Sequence, residues 1–505
     1  MVSSNAVFQL KEHLDKIYLG NSRGYGLSNN NEFAALPKSV FDTPMGIFDR
    51  KENDSLPRGH SDALVNEYSH LISNAKYLVD IVDLGDINGS FRKQLFQGIK
   101  NALYNGIIAD RLIVRIVLGL QAGPFINLNA RKLMDELKDY IGFNKKLAVY
   151  IGVQVYCKPH RTSPDFGTWN HAKYVAVDSK YLLTGGHNWW ADPYFGERPP
   201  FDLSIRLNGP VAEEAHKFTD FLMRQCKRDS VYDDSIHPVH MIDGDIMEGL
   251  GEPVAPPHPN NQNAGATPVL AVAQNGDFDS DDFTNPSLAS MYWAIRHARK
   301  TVNITQMSLA SKDVSFWSEF SRLQTCGKVD TVTITSKVDG KTRFYNVELL
   351  RAIAAALKAG AKVNILISNS RDAGDYSNGD DASSITRAVG KFAHEILDRA
   401  DTLRILSQNL QVKTVMTHGS IPWQKRPNQS KTNHAKFWAA DNLFYVGSHN
   451  MYPSVEYRFQ TINGHLSEWG VIMGDTASYN HIMSKYFNPI WEKGHLAPFE
   501  AHWLP

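Results

Sequence analysis

A chain of 505 residues is longer than one hydrophobic core sustains, so two lobes are expected. Hydrophobic residues make up 42% and charged residues 21%, an ordinary globular balance that excludes a disordered chain. The 53 Lys+Arg match the 53 Asp+Glu, so no basic surplus points to nucleic acid and no charged tail is present.

The opening residues, MVSSNAVFQLKEHLDKIYLG, hold no apolar core of the length a secretory signal needs, and no segment is apolar enough to span a bilayer. Two settings stay open: a cytoplasmic protein, or a mature exported form whose signal was replaced by a start Met. The stretch NAKYLVDIVDL (74–84) reads as a helix end followed by a strand carrying Val79 and Ile81. LFQGIKNALYNG then reads as a helix closed by Gly106 at C′, and RLIVRIVLG as a strand apolar on both faces, as in a helix-covered sheet. Cys157, Cys226 and Cys326 are too few and too scattered for a disulfide framework or a zinc site; at most one bridge is possible, and three buried thiols are the expected reading.

Next comes TWNHAKYVAVDSKYLLTGGHNWW (168–190). Read as a strand, it places His171 and Lys173 side by side on one face, with Ala172 and Tyr174 on the other. Asp178-Ser179 is turn material, a second strand runs from Lys180 to Thr184, and Gly185, Gly186, His187 and Asn188 form the exit. A further strand, DLSIRLNG, and an amphipathic helix, AEEAHKFTDFLMRQC, complete the first half. The Pro-, Gly- and Asn-rich stretch 248–268 reads as a linker. The acidic run DFDSDDF (277–283) lacks the spacing of a calcium loop and reads as solvated.

The second half repeats the first. HARKTVNITQM (297–307) matches 74–84, with Val302 and Ile304 at the positions of Val79 and Ile81. LLRAIAAALKAG, closed by Gly360, and KVNILIS repeat the helix and strand. NHAKFWAADNLFYVGSHN (433–450) repeats the hairpin with His434, Lys436, Asp441 and Asn450, and EWGVIMGD and ASYNHIMSKYFNPIW repeat the last strand and helix. At about one residue in twenty per type, His-x-Lys-x4-Asp arises by chance roughly 0.06 times in such a chain. Two copies, each preceded by Asn and followed by Gly-x-x-Asn, are a duplication. The expected fold is therefore α/β: two lobes related by a pseudo-twofold axis, each a mixed sheet between helices. The expected division is a first lobe over 1–245, a linker over 246–272 and a second lobe over 273–505.

Such an axis can bring both motifs to one cleft. Two ammoniums and two Asn amides can then hold non-bridging phosphate oxygens, while two imidazoles stand on opposite sides of phosphorus. These residues resemble the phospholipase D superfamily, whose signature is a duplicated HxKxxxxD followed by G-G/S-x-N. WNHAKYVAVD, TGGHNWW, FDLSIRLNGP, TPVLAV and DNLFYVGSHNMYPS extend the resemblance to the actinomycete-type secreted phospholipases D. The segment between Asn450 and Glu468 is longer than in that pattern, and Glu stands where Asp is usual.

The resemblance implies a two-step displacement through a phosphohistidine. It assigns His171 as nucleophile and His434 as general acid and base, with the reverse order open by symmetry. It implies that Lys173, Lys436, Asn188 and Asn450 bind phosphate oxygens, that Asp202 orients His434, and that Glu468 orients His171. Asp178 and Asp441 end the motif strands and read as structural, bonded within their turns. Trp169, Trp190 and Tyr452 flank the motifs as candidates for a substrate pocket, while His187 and His449 read as supporting or rim residues. No metal or other cofactor is needed where Lys and Asn carry the charge work.

The expected substrate is a phospholipid at a membrane surface or micelle, with water or an alcohol as acceptor, no nucleic acid and a monomeric chain. By the resemblance the protein is secreted. A nuclease using the same two histidines is the first alternative, opposed by the balanced charge and by both motifs lying in one chain. A lipid-binding scaffold with a decayed site is opposed by the intact His, Lys, Asn and acidic residues of both halves.

Overall fold

Strands Leu78–Leu84 and Leu112–Gly119 are buried along their whole length, because helices cover both faces of the sheet they belong to. The computed structural model describes residues 4–18, 24–49, 58–106, 108, 110–119, 128–157, 167–190, 194–196, 199–226, 237–251, 263–274, 285–312, 331–337, 340–368, 380–415, 432–453, 466–497 and 499–501. Among these residues the first sheet runs, edge to edge, through Val40–Thr43, Asp202–Asn208, Tyr181–Gly185, Tyr174–Val177, Leu78–Leu84, Leu112–Gly119, Leu147–Cys157, Val239–Ile242 and Asp245–Glu248. The second runs through Tyr25–Asn31, Thr267–Gln274, Glu468–Met473, Leu443–Gly447, Phe437–Ala440, Thr301–Thr305, Lys362–Ile367, Leu410–Thr414 and His495–Leu496.

From Asp202–Asn208 and Glu468–Met473 inward the two orders are identical strand for strand. Three parallel strands (Leu78–Leu84, Leu112–Gly119, Leu147–Cys157; Thr301–Thr305, Lys362–Ile367, Leu410–Thr414) are met antiparallel by the motif hairpin. The expected pair of mixed α/β lobes is present. A small sheet of Ala310–Lys312, Thr342–Asn346 and Thr331–Thr335 is added to the second lobe only.

Helix starts follow side-chain chemistry. Asn129, Asn285, Asn346, Asp381, Asp398 and Asp475 each accept a backbone N–H three residues on, satisfying a donor that the helix itself cannot. Gly360 closes helix Val347–Lys358 at φ +91°, with Ala361 N bonded back to Ala356 O at 3.0 Å. Gly106 differs from expectation: it caps helix Gly89–Asn105 in an extended conformation, φ −89°, so no left-handed turn is made there. The final amphipathic stretch is also broken. Helix Thr476–Ile482 passes into a π-helical turn, Met483–Phe487, before Asn488–Lys493 resumes the α pattern.

One apolar layer is shared by the lobes. Tyr174, Phe201 and Leu203 of the first lobe and Phe437, Val446, Trp469 and Tyr486 of the second belong to one buried cluster, and Phe201 stacks on Tyr486 with ring centroids 5.8 Å apart. The lobes do not divide the chain where the sequence suggested. Helix Ser4–Ile17 and strand Tyr25–Asn31 join the second lobe, the strand by antiparallel pairing with Thr267–Gln274. Residue 245 falls inside the edge hairpin of the first sheet, and 267–272 of the expected linker are strand. Residues 252–262 and the acidic run 277–283 lie outside the described residues.

Candidate active site

Each motif segment is pinned before its strand begins. The strands start at Tyr174 and Phe437, so the His and Lys of both motifs lie in an irregular approach and not in the strand proper. Asn170 folds over that approach: its Oδ1 accepts Ala172 N at 3.1 Å and its Nδ2 donates to Asp83 O at 2.8 Å. Asn433 does the same, accepting Ala435 N at 3.2 Å and donating to Gln306 O at 2.9 Å. The backbone then crosses to the other lobe: His171 N donates to Ser467 O at 2.8 Å, and His434 N to Phe201 O at 2.7 Å. The histidines therefore emerge on the pseudo-twofold boundary.

The residues following those two acceptors orient the rings. His171 Nδ1 lies 2.9 and 3.0 Å from the two oxygens of Glu468, and His434 Nδ1 lies 2.7 Å from Asp202 Oδ2. An ionised carboxylate only accepts, so each Nδ1 carries its proton and each Nε2 is left to act on a substrate. The carboxylates are themselves held. Asp202 Oδ2 accepts from Tyr194 Oη at 2.8 Å and its Oδ1 from Leu203 N at 2.8 Å, while Glu468 Oε2 accepts from Ser448 Oγ at 2.5 Å. Gly186 and Ser448 are equivalent, and the difference is steric. A Cβ at Gly186 would sit 2.2 Å from Asp202 Oδ1, whereas the longer Glu468 leaves room for a hydroxyl.

Lys173 and Lys436 are buried, and their Nζ atoms donate to His171 O and His434 O at 2.5 Å. Asn188 and Asn450 are buried beside them, and Asn188 N donates to Tyr194 Oη at 3.2 Å. The two motifs share one field. Burial, then the ammoniums of Lys173 and Lys436, hold the His171 imidazole well below its usual range. Burial and Lys436 push His434 down to about 3 against the pull of Asp202. Burial brings Lys173 down to about 8, opposed by Glu468, Asp83 and Asp202, and Lys436 down to about 7, opposed by Asp202 and Glu468 and aided by Lys173. Burial works against the Asp202 carboxylate, but His187, His434 and Lys436 outweigh it and keep it ionised.

Asp178 and Asp441 sit at φ +53° and do not bond within their turns as expected. Asp178 accepts the backbone N–H of Lys76, Tyr77 and Leu78 at 2.7–2.9 Å. Asp441 accepts those of Arg299, Lys300 and Thr301 at 2.8–3.0 Å. Each thus ties its hairpin to the start of the neighbouring central strand. His187 is spent internally, on Ser204 Oγ at 2.8 Å and Thr43 Oγ1 at 2.7 Å, and His449 Nδ1 bonds Ser287 Oγ at 2.8 Å.

Trp169 is buried with Leu84 and Leu466, the half-buried Trp190 packs against them, and Tyr452 is half-buried after the second exit. Of the cysteines, Cys226 is a free buried thiol, Cys326 lies outside the described residues, and Cys157 is described as backbone only. Among the described residues no His, Cys, Asp and Glu group of three or more is arranged for a metal, and no helix is long and apolar enough to cross a membrane. Sequence reasoning missed Tyr194 and Ser448. The only signal for Ser448 was the Gly-Ser versus Gly-Gly difference between the exits, and Tyr194 carries no motif signal at all.

Two half-sites of His, Lys and Asn, each completed by a carboxylate from the other half, are the arrangement expected of the phospholipase D superfamily, which the chain resembles. It is 25% identical over 480 residues to the phospholipase D of Streptomyces antibioticus, a match covering 86% of this chain and 77% of that protein. Its fold is similar to that of phosphatidylserine synthase from Haemophilus influenzae, with TM-score 0.53 and 10% sequence identity over 97% of this chain and 91% of the other. No family model matches the chain.

Proposed function

We propose that the protein is a phospholipase D, cleaving the distal phosphodiester of glycerophospholipids to phosphatidic acid and a free headgroup alcohol, and transferring the phosphatidyl group to other alcohols. The reading is carried by the paired imidazoles, each with Nδ1 held by a carboxylate of the opposite lobe and Nε2 left for phosphorus. The similarity to the Streptomyces enzyme supports lipid over other diesters.

In the first step His171 Nε2 attacks phosphorus, a P–N bond forms, and the P–O bond to the headgroup breaks. The departing oxygen takes a proton from His434 Nε2, which gains that second proton as the anionic diester binds and returns to the neutral imidazole as the alcohol leaves. In the second step His434 Nε2 removes a proton from water or alcohol, the oxygen attacks phosphorus, and the P–N bond breaks to return neutral His171. Lys173, Lys436, Asn188 and Asn450 meet the non-bridging oxygens, whose charge grows in both transition states. Trp169, Trp190 and Tyr452 line the approach, and a single chain holds the complete site. Secretion and a lipid surface as the working partner follow from the same reading.

The test is incubation with vesicles of mixed phosphatidylcholine and phosphatidylethanolamine containing ethanol, with products read by mass spectrometry. Phosphatidic acid and phosphatidylethanol should appear together, because one intermediate partitions between two acceptors. Inert lipid alongside cutting of DNA by the same preparation overturns the reading in favour of a nuclease.

A further inference from the structure

Each histidine hangs from one residue of the other lobe, and the two residues are chemically unlike. His434 N donates to Phe201 O at 2.7 Å, and Phe201 N returns a bond to Thr432 O at 2.5 Å. His171 N donates to Ser467 O at 2.8 Å, and Ser467 N returns one to Trp169 O at 3.1 Å. The residue after each joint, Asp202 or Glu468, then holds Nδ1 of the same ring. Whatever fixes Phe201 or Ser467 therefore fixes both the backbone of a histidine and its carboxylate.

The Phe201 joint is braced by carbon. Its ring stands edge-on to Phe48 with centroids 5.0 Å apart and lies parallel to Tyr486 at 5.8 Å. Val415 belongs to the same buried cluster. The Ser467 joint is braced by an amide. Gln154 Nε2 donates to Ser467 Oγ at 3.0 Å and, with its other hydrogen, to Gln225 Oε1.

Gln154 and Val415 occupy one position of the repeat. Val79 lies beside Val114 and Val114 beside Val149, just as Val302 lies beside Val363 and Val363 beside Leu410. Five residues beyond Val149 and Leu410 stand Gln154 and Val415, both buried. Among the described residues Gln154 Oε1 accepts no hydrogen bond. An unmet buried acceptor costs stability that an apolar side chain avoids, as Val415 does in the second half. Packing alone therefore does not account for the amide, and its bond to Ser467 does.

We propose that Gln154 is a positioning residue for His171. It belongs to the first lobe and grips the second, so that a strut runs from Gln225 on helix Val211–Cys226, through strand Leu147–Cys157, to Ser467. The strut sets Ser467, and through it the placement of the His171 backbone and the reach of Glu468. His434 rests instead on the aromatic brace of Phe48 and Tyr486. The two rings are held by independent means, and one can be disturbed without the other.

This inference rests on paired-histidine chemistry at a phosphodiester, but not on the diester being a lipid. The variants are Q154M, which keeps the length and removes the amide, S467A, which removes the hydroxyl, and the two combined. The first readout is the proton spectrum of the empty enzymes labelled with 15N in the histidine rings. The Nδ1–H resonances are assigned with H171Q and H434Q. Q154M and S467A should each shift or broaden the His171 resonance and leave that of His434 in place.

The second readout is turnover of bis(4-nitrophenyl) phosphate. Each single change should lower kcat about tenfold, the scale of one hydrogen bond, with KM little changed because the Lys and Asn side chains stay. The double variant should also lose about tenfold, because both changes cut the same bond. Effects that multiply to about a hundredfold overturn the proposal, as does a loss confined to KM. Resonances of His171 and His434 that move together, or a His171 resonance that does not move, overturn it too. If Q154M does not fold, S467A cuts the bond from its other end and decides the matter. Lipid turnover, assayed in parallel, is the separate readout for the phospholipase reading. Wild-type turnover of the nitrophenyl ester with inert lipid sinks that reading and leaves this one standing, and a wild type inert toward both overturns both.

Discussion

His171 Nδ1 is bracketed by both oxygens of Glu468, at 2.9 and 3.0 Å, across 297 residues of chain. Neither lobe contains a finished histidine. The imidazole comes from one lobe and the group that fixes its tautomer from the other, so alignment of the lobes is itself part of the chemistry. Glu468→Gln presents an amide that can donate to Nδ1 and so favours the wrong tautomer. It is expected to lower kcat by about 10²- to 10⁴-fold with KM little changed. Steady-state kinetics on short-chain phosphatidylcholine check this, and a drop confined to KM would contradict it.

The pH profile follows from the signs of the shifts. Burial drives both histidines down, so the nucleophile His171 is neutral in the empty enzyme at pH 7 and its protonation should set an acidic limb of kcat/KM below pH 6, while His434 has to gain its proton as the anionic substrate binds. The lysines must be charged to meet phosphate, and Lys436 loses its proton through about 7, so kcat/KM should fall as pH rises past that value. Lys436→Arg keeps the charge throughout and should move the basic limb up by at least one unit, at some cost in rate from the larger group. An unmoved basic limb in that variant would assign it to another residue.

A lysine whose folded pKa is depressed binds fewer protons folded than unfolded between the two values. Stability therefore rises with pH through that window, from about 7 to 10.5 for Lys436. Below it the buried ammonium carries its whole penalty. Lys436→Met should accordingly raise Tm at pH 6, by a few degrees, while abolishing turnover. Calorimetry of the empty proteins settles it, and an equal or lower Tm would show that the site's carboxylates already compensate the charge.

Gly186 carries no side chain because Asp202 occupies the space. Making the first exit resemble the second by Gly186→Ser should push Asp202 off His434 and cost at least about 10²-fold in kcat. Ser448→Ala, which removes one bond to Glu468 and adds no atoms, should cost about tenfold. Equal effects of the two changes would mean that crowding at Asp202 is relieved without moving it.

Asp178→Ala strips the acceptor from three backbone N–H groups far from the histidines. It should destabilise by about 2–4 kcal/mol, with kcat of the folded enzyme kept within a few-fold. A large loss of kcat at unchanged stability would place this residue in the chemistry instead.

The motif chemistry was readable because it is local: His, Lys, Asn and the turn Asp fall within eighteen residues of one another in each half, and their repetition exposes them. The strand order was readable for a related reason, since the parallel strands are continuous apolar runs and each hairpin announces its turn. What lay hidden depends on register and on contact between lobes. The trio of donors on Asp178 comes from a strand a hundred residues earlier, so the turn alone suggested a local bond. Gln154 and Val415 become a pair only once the strands are aligned. Tyr194 acts through a single hydroxyl, on a short segment with no pattern. The N-terminal strand was hidden because YGLSNNN is weakly apolar, and its place is decided by a vacant sheet edge in the other lobe.

That strand has a consequence for how the molecule is made. Ser28 bonds Val269 across 241 residues, while the next strand, Val40–Thr43, closes the edge of the first sheet. A ribosome releases the clasp long before it releases what the clasp must hold. Until the second lobe is synthesised, Tyr25–Asn31 has no partner edge, and the helix before it has no surface for Val7, Leu10 and Leu14. The high sequence separation of these contacts makes their closure a late and slow event, after both lobes have formed their local structure. Assembly thus ends at the beginning of the chain, where a single strand and helix lock a lobe that is otherwise built from the other end.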